Sequence, residues 1–155
     1  MGRKVVKKVY KDTYARGQRD KKEFQDRYQI LIELVSVKVL EDRDLFGNES
    51  ELYFKVGSRV PDHRQRTPNK GTINIEKNET FTPTEGLTLY CEFRDAPDRG
   101  VAEIPFDLYE RDPGKDDDHI IDTKISIPLG TSDYRVLTEK SVKVKIKISG
   151  LETRY

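Results

Sequence analysis

Val142, Val144, Ile146 and Ile148 alternate one by one with Lys143, Lys145 and Lys147. Successive side chains of a strand point to opposite faces, so this run has one apolar face and one cationic face. A helix, with its period of about 3.6 residues, would scatter both sets around its axis. The same alternation recurs along the chain. Ile30, Ile32 and Leu34 open a run that continues through Val37 and Val39. Leu52, Phe54 and Val56 follow, then Ile73 and Ile75, then Leu87, Leu89, Cys91 and Phe93. Ile104, Phe106 and Leu108 form another run, and Ile125 and Ile127 a short one. Turn-forming pieces separate them: Phe46-Gly47-Asn48, Pro68-Asn69-Lys70-Gly71, Pro97-Asp98-Arg99-Gly100 and Asp112-Pro113-Gly114. Seven strands are predicted, with an eighth candidate at Val5–Tyr10, and no amphipathic helix of ordinary length. Many short strands with one apolar face each imply an all-β, antiparallel sandwich.

The chain has 155 residues, 37% of them charged and 34% hydrophobic. One domain with a lean core and a heavily charged surface is expected. The near balance of 29 basic and 28 acidic residues conceals segregation. Residues 1–27 hold ten basic side chains against four acidic, and residues 103–122 hold eight acidic against two basic. Residues 1–27 read as a charged N-terminal arm or connector, because their few apolar groups cannot offset about 1–2 kcal/mol of backbone entropy per residue. Residues 28–155 read as the sandwich. The lone Cys91 excludes an intramolecular disulfide and argues against a cysteine-based zinc site. Its alternation with polar neighbours makes it a small core residue in expectation. No run of about 18 apolar residues is present, so no transmembrane segment is expected.

Carboxylates cluster at two predicted turns. Glu110 and Asp112 project to one side of a strand end, and the Pro113-Gly114 turn returns Asp116, Asp117 and Asp118 toward them. Glu41, Asp42 and Asp44 close the first long strand, while Glu49 and Glu51 open the next. Converging carboxylates repel one another, and calcium, which takes 6–8 oxygen ligands, relieves that repulsion. A solvated acidic loop without metal is the competing reading.

In order along the chain, these pieces resemble a C2 domain. Asp44-Leu45-Phe46-Gly47-Asn48-Glu49-Ser50-Glu51-Leu52-Tyr53-Phe54-Lys55-Val56 is similar to its first calcium loop and following strand. Asn78-Glu79-Thr80-Phe81 is similar to its Asn-Glu-Thr-Phe segment, and Glu110-x-Asp112-x5-Asp118 followed by Ile120-Ile121 to its third loop. The resemblance spans roughly residues 28–148. It implies an eight-stranded sandwich with calcium held between two end loops, with Asp44 and Glu51 as first-loop ligands and Glu110, Asp112 and Asp118 as third-loop ligands. It further implies docking on anionic phospholipid or on a protein partner, in the cytoplasm and peripherally on membranes. Glu51 and Glu110 stand where the family has aspartate, and Leu52 where it has proline.

The Lys143, Lys145 and Lys147 face reads either as an anion- or lipid-binding surface or as protection of an exposed sheet edge. No phosphate-cradling glycine loop, nucleophile elbow or zinc-binding helix motif is present, so catalysis is not expected. His63 and His119 are the two histidines, and both read as solvated loop residues. No zinc-finger spacing or aromatic-rich basic motif points to nucleic acid. Two functions are expected in competition: a calcium-responsive, non-catalytic binding module, and a structural subunit that self-assembles as a homo-oligomer through its basic arm.

Overall fold

The computed structural model describes residues 27–40, 49–60, 62–95 and 100–153. Ten strands run in chain order: β1 (Arg27–Val39), β2 (Glu49–Val56), β3 (Gln65–Thr67), β4 (Ile73–Glu76), β5 (Thr80–Phe81), β6 (Leu87–Asp95), β7 (Val101–Glu110), β8 (Asp118–Pro128), β9 (Thr131–Glu139) and β10 (Val142–Glu152). All pairings are antiparallel. Sheet A orders its strands with β5 and β6 sharing one flank of β1, followed by β10 and β9. Sheet B has β3 and β4 sharing one flank of β2, followed by β7 and β8. The ten strands of the described residues therefore fill eight lanes, four per sheet, as the resemblance to a C2 domain implies.

Apolar rows from both sheets meet between the layers. Ile30, Ile32, Val37, Val144, Ile146 and Ile148 from sheet A and Phe54, Val56, Ile104, Phe106, Leu108 and Ile127 from sheet B are all at or below 1% exposure. Each such side chain contributes about 1.5–3 kcal/mol by leaving water, so the core outweighs any single surface pair. Three bulges adjust the alternation. Val35 is extra in the β1–β10 ladder, so the inward positions change from Ile30, Ile32 and Leu34 to Val37 and Val39. Ile120 is extra in β8, and Ile120 and Ile121 are both buried.

The third bulge corrects an expectation. Leu89 is extra in the β1–β6 ladder, and Leu89 and Tyr90 both turn inward. Beyond it the faces exchange, which leaves Cys91 half-buried on the outer face and Phe93 exposed. Cys91 Sγ there accepts a hydrogen bond from Gln29 Nε2 at 3.6 Å. The seven expected strands are all present, while β3, β5 and β9 were not anticipated. The candidate strand at residues 5–10 and the arm lie outside the described residues, save Arg27 at the start of β1.

Candidate binding surfaces

The acidic end of sheet B is assembled by strand register. Leu52 of β2 opposes Glu110 of β7, and Glu110 opposes Asp118 of β8. The Arg111 N–H donates to the Glu51 carbonyl at 2.8 Å, which places Glu51 at the same end. Four of the five expected metal ligands, Glu51, Glu110, Asp112 and Asp118, therefore come from neighbouring strand ends and the turn between β7 and β8. Asp44 lies outside the described residues.

Cations are interleaved with these carboxylates. Arg111 pairs with Glu51. Lys115 Nζ lies 3.2 Å from Asp112, and Lys140 Nζ 3.2 Å from Asp118. Lys140 also donates to the His119 carbonyl at 2.9 Å. It occupies the two-residue β9–β10 turn, where Lys140 and Ser141 both have positive φ (46° and 62°), the geometry that suits the twist of a hairpin. Asp117 accepts from the Tyr53 hydroxyl and from the Asp112 N–H. The Tyr53 hydroxyl and then that N–H hold the Asp117 carboxyl below the usual carboxylate range. Burial, then the bond to Asp117, pushes the Tyr53 phenol up to about 12.

A second cluster lies on the outer face of sheet B. Tyr53, Tyr109 and His119 stack in a row across β2, β7 and β8, with ring centroids 5.3 Å and 4.4 Å apart. Arg66 of β3 caps the row, 4.2 Å from the Tyr53 centroid. His119 is thus a strand residue packed against Tyr109, where a solvated loop position was expected. Its Nε2 lies 2.8 Å from Asp107, a carboxylate with no exposed surface. Asp107 opposes Asp122 in the β7–β8 ladder. Asp107, His119 and Asp122 bring ligand atoms within 4.8 Å of one another. Arg59, however, pairs with both carboxylates, and its hydrogen bonds to Asp122 first and Asp107 second raise its own affinity for a proton. Arg59 thus offsets one of the cluster's two negative charges. Sequence reading missed this set because Asp107 and Asp122 meet only through register.

The third surface is the outer face of sheet A. Lys143 and Lys145 are exposed along β10, and Lys147 is half-buried. Lys38 of β1 directly opposes Lys143, and Glu33 opposes Lys147. Tyr134 of β9 opposes Lys147, and Lys145 Nζ lies 5.2 Å from its ring centroid. β10 lies between β1 and β9, so its lysines protect no edge and that expectation is corrected.

Solved structures share this architecture at low sequence identity. A C2 domain of plant Extended Synaptotagmin 1 superposes with a TM-score of 0.50 at 14% identity, covering 82% of this chain and 96% of that one. The fold is that of a C2 domain. Human GIVD cytosolic phospholipase A2, solved in complex with methyl gamma-linolenyl fluorophosphonate and terbium chloride, matches with a TM-score of 0.55 at 15% identity. That match covers 83% of this chain but 18% of the phospholipase chain. No protein-family profile and no curated protein matches the sequence. Among the described residues of this C2 fold, no helix is long and apolar enough to cross a membrane.

Proposed function

We propose that this chain is a non-catalytic binding module that docks on an anionic phospholipid surface through the outer face of sheet A. The observation that carries this reading is the adjacency of Lys38, Lys143 and Lys145 on the two middle strands of sheet A. Lys147 is half-buried and stands across from Glu33, so the reading counts these three as the effective charge. Each lysine near an anionic surface is worth about 1 kcal/mol, so together they supply about 3 kcal/mol, roughly a hundredfold in partitioning. The Asp107–His119–Asp122 cluster, closed by Arg59 and Tyr109, is read as packing of the opposite face.

Calcium at the acidic end of sheet B is a second reading, favoured by the placement of Glu51, Glu110, Asp112 and Asp118 at one end of that sheet. The donors are all carboxylate oxygens, which suits a hard cation. Calcium held there would supply positive charge beside the docking face. It must displace Arg111, Lys115 and Lys140, which places its affinity in the weak range of about 10⁻⁴–10⁻³ M. Docking through sheet A needs no calcium. Sedimentation with phosphatidylserine-containing vesicles in excess chelator tests this: the parent pellets with them, and Lys143→Glu/Lys145→Glu stays in solution. Equal pelleting of the two proteins refutes the assignment.

A further inference from the structure

A free sheet edge presents a row of unpaired N–H and C=O groups, and proteins blunt such edges with short strands, bulges, proline or lysine, or guard them with inward-pointing charges that admit only a complementary strand. Among the described residues, three of the four edges have an interrupted backbone. One edge of sheet B is divided between β3 and β4, three and four residues long. The other, β8, bulges at Ile120 and ends in Pro128. One edge of sheet A is divided between β5 and β6, and β6 bulges at Leu89. β9 differs. It pairs with β10 from Thr131 to Glu139 without a register shift, and it contains neither proline nor lysine. Tyr134 and Val136 on its outer face are 54% and 52% exposed.

The orientation of this edge follows from one hydrogen bond. The Tyr134 N–H donates to the Asp133 carboxylate at 2.8 Å instead of to β10. The backbone groups of Tyr134 therefore face away from the sheet, and by the period of two so do those of Ser132, Val136 and Thr138. Asp133 and Arg135 project to the other face, opposite buried Ile148 and Ile146. Charges in that position bar a generic apolar strand. They are compensated by a strand that carries the same two charges in the reverse direction, which an antiparallel second copy supplies.

A two-fold axis makes residue i oppose j and j oppose i. Centred on Arg135 it sets two arginines face to face, and centred on Asp133 two aspartates. Centred on Tyr134 it sets Asp133 across from Arg135 of the second copy, twice. Opposite charges directly across a ladder stabilise and like charges destabilise, which disfavours the Arg135- and Asp133-centred registers. A Leu137-centred axis also sets opposite charges across, Arg135 against Glu139, but pairs only residues 135–139, whereas the Tyr134-centred register pairs the longer stretch Thr131–Leu137. There the Tyr134 N–H exchanges its bond to Asp133 for a carbonyl of the second copy, and Asp133 gains an arginine.

We propose that a second copy of this chain pairs antiparallel along β9, from Thr131 to Leu137 about Tyr134, joining the two A sheets into one. This does not rest on the lipid or calcium reading, although it would set two basic faces side by side. Analytical ultracentrifugation of the full chain over a concentration series, in chelator and without vesicles, is the test. The parent is expected to show a monomer–dimer equilibrium. Asp133→Arg and Arg135→Asp should each weaken it about tenfold, by converting both cross-copy pairs to like charges. The double swap should return the dissociation constant to within about threefold of the parent. Val136→Pro removes an outward N–H without breaking the β10 ladder, and should abolish the dimer at an unchanged melting temperature. A parent that is monomeric throughout, a dimer indifferent to Val136→Pro, or a double swap that stays as weak as the singles overturns the proposal.

Discussion

Lys38 stands directly across from Lys143 in the β1–β10 ladder, and both side chains are exposed. Like charges in that position work against the sheet by about 0.2–1 kcal/mol. Lys38→Glu replaces repulsion with attraction. It should raise the unfolding free energy by up to about 1 kcal/mol in urea denaturation. The same substitution removes two units of positive charge from the docking face. Vesicle partitioning should fall by roughly thirtyfold. A gain in stability with unchanged vesicle binding would mean that the face does not dock.

Lys140 and Arg111 hold the positions a metal charge would take beside Asp118 and Glu51. Lys140→Gln/Arg111→Gln should cost little stability in chelator, because exposed pairs are worth about 0–1 kcal/mol. It should lower the calcium concentration giving half the maximal rise in melting temperature by about tenfold. A melting-temperature series in calcium, with magnesium as control, reads this out. An unchanged calcium response would remove the acidic end of sheet B as a metal site.

Asp107 is fully buried, and Arg59 supplies two of its hydrogen bonds. Arg59→Ala leaves that carboxylate with His119, and should cost about 1–3 kcal/mol, above the range of an ordinary surface pair. Asp107→Asn in the Arg59→Ala background removes the uncompensated charge and should recover part of the loss. Chemical denaturation of the single and double variants separates an electrostatic role from simple loss of packing.

Two phenols hold their protons unusually tightly. Burial and then the bond to Asp117 raise Tyr53 from 10.0 to about 12, and burial and then Glu92 do the same for Tyr90. A group whose affinity for a proton rises on folding adds stability that is complete below its ordinary value. That stability is lost as pH climbs through the folded value. Stability should therefore decline between pH 10 and about 12, and an ultraviolet titration should show these two phenols ionising late. Tyr53→Phe should remove one late ionisation and flatten the alkaline decline. A titration in which every tyrosine ionises near its ordinary value would contradict the burial assigned to these rings.

The period-two runs of Ile30–Leu34, Leu52–Val56, Ile104–Leu108 and Val142–Ile148 were legible because each has one face in the core and one in water. β9 was not, because Thr131–Glu139 has no fully buried position and so leaves no alternation in the sequence. Cys91 was misplaced by the Leu89 bulge, which exchanges the faces of β6 without any mark in the residue types. The acidic end of sheet B was visible as clustered carboxylates. The cations among them were partly visible too, since Arg111 and Lys115 are neighbours in sequence. Lys140 reaches Asp118 only through the β9–β10 turn. Arg59, Asp107 and Asp122 come from three separate segments: β7–β8 pairing joins the two carboxylates, and Arg59 reaches them from the turn after β2.

The direct measurement is of which face touches the membrane. With Cys91→Ser as background, an environment-sensitive fluorophore on Ser36→Cys reports from beside Lys145 on the outer face of sheet A. One on Ser126→Cys reports from the exposed outer side of β8 on sheet B. On addition of phosphatidylserine vesicles in chelator, the probe at position 36 should shift to an apolar environment and the probe at 126 should stay unchanged. A shift at 126 with none at 36, or no shift at either position while neutral and anionic vesicles behave alike, would contradict docking through the lysine face.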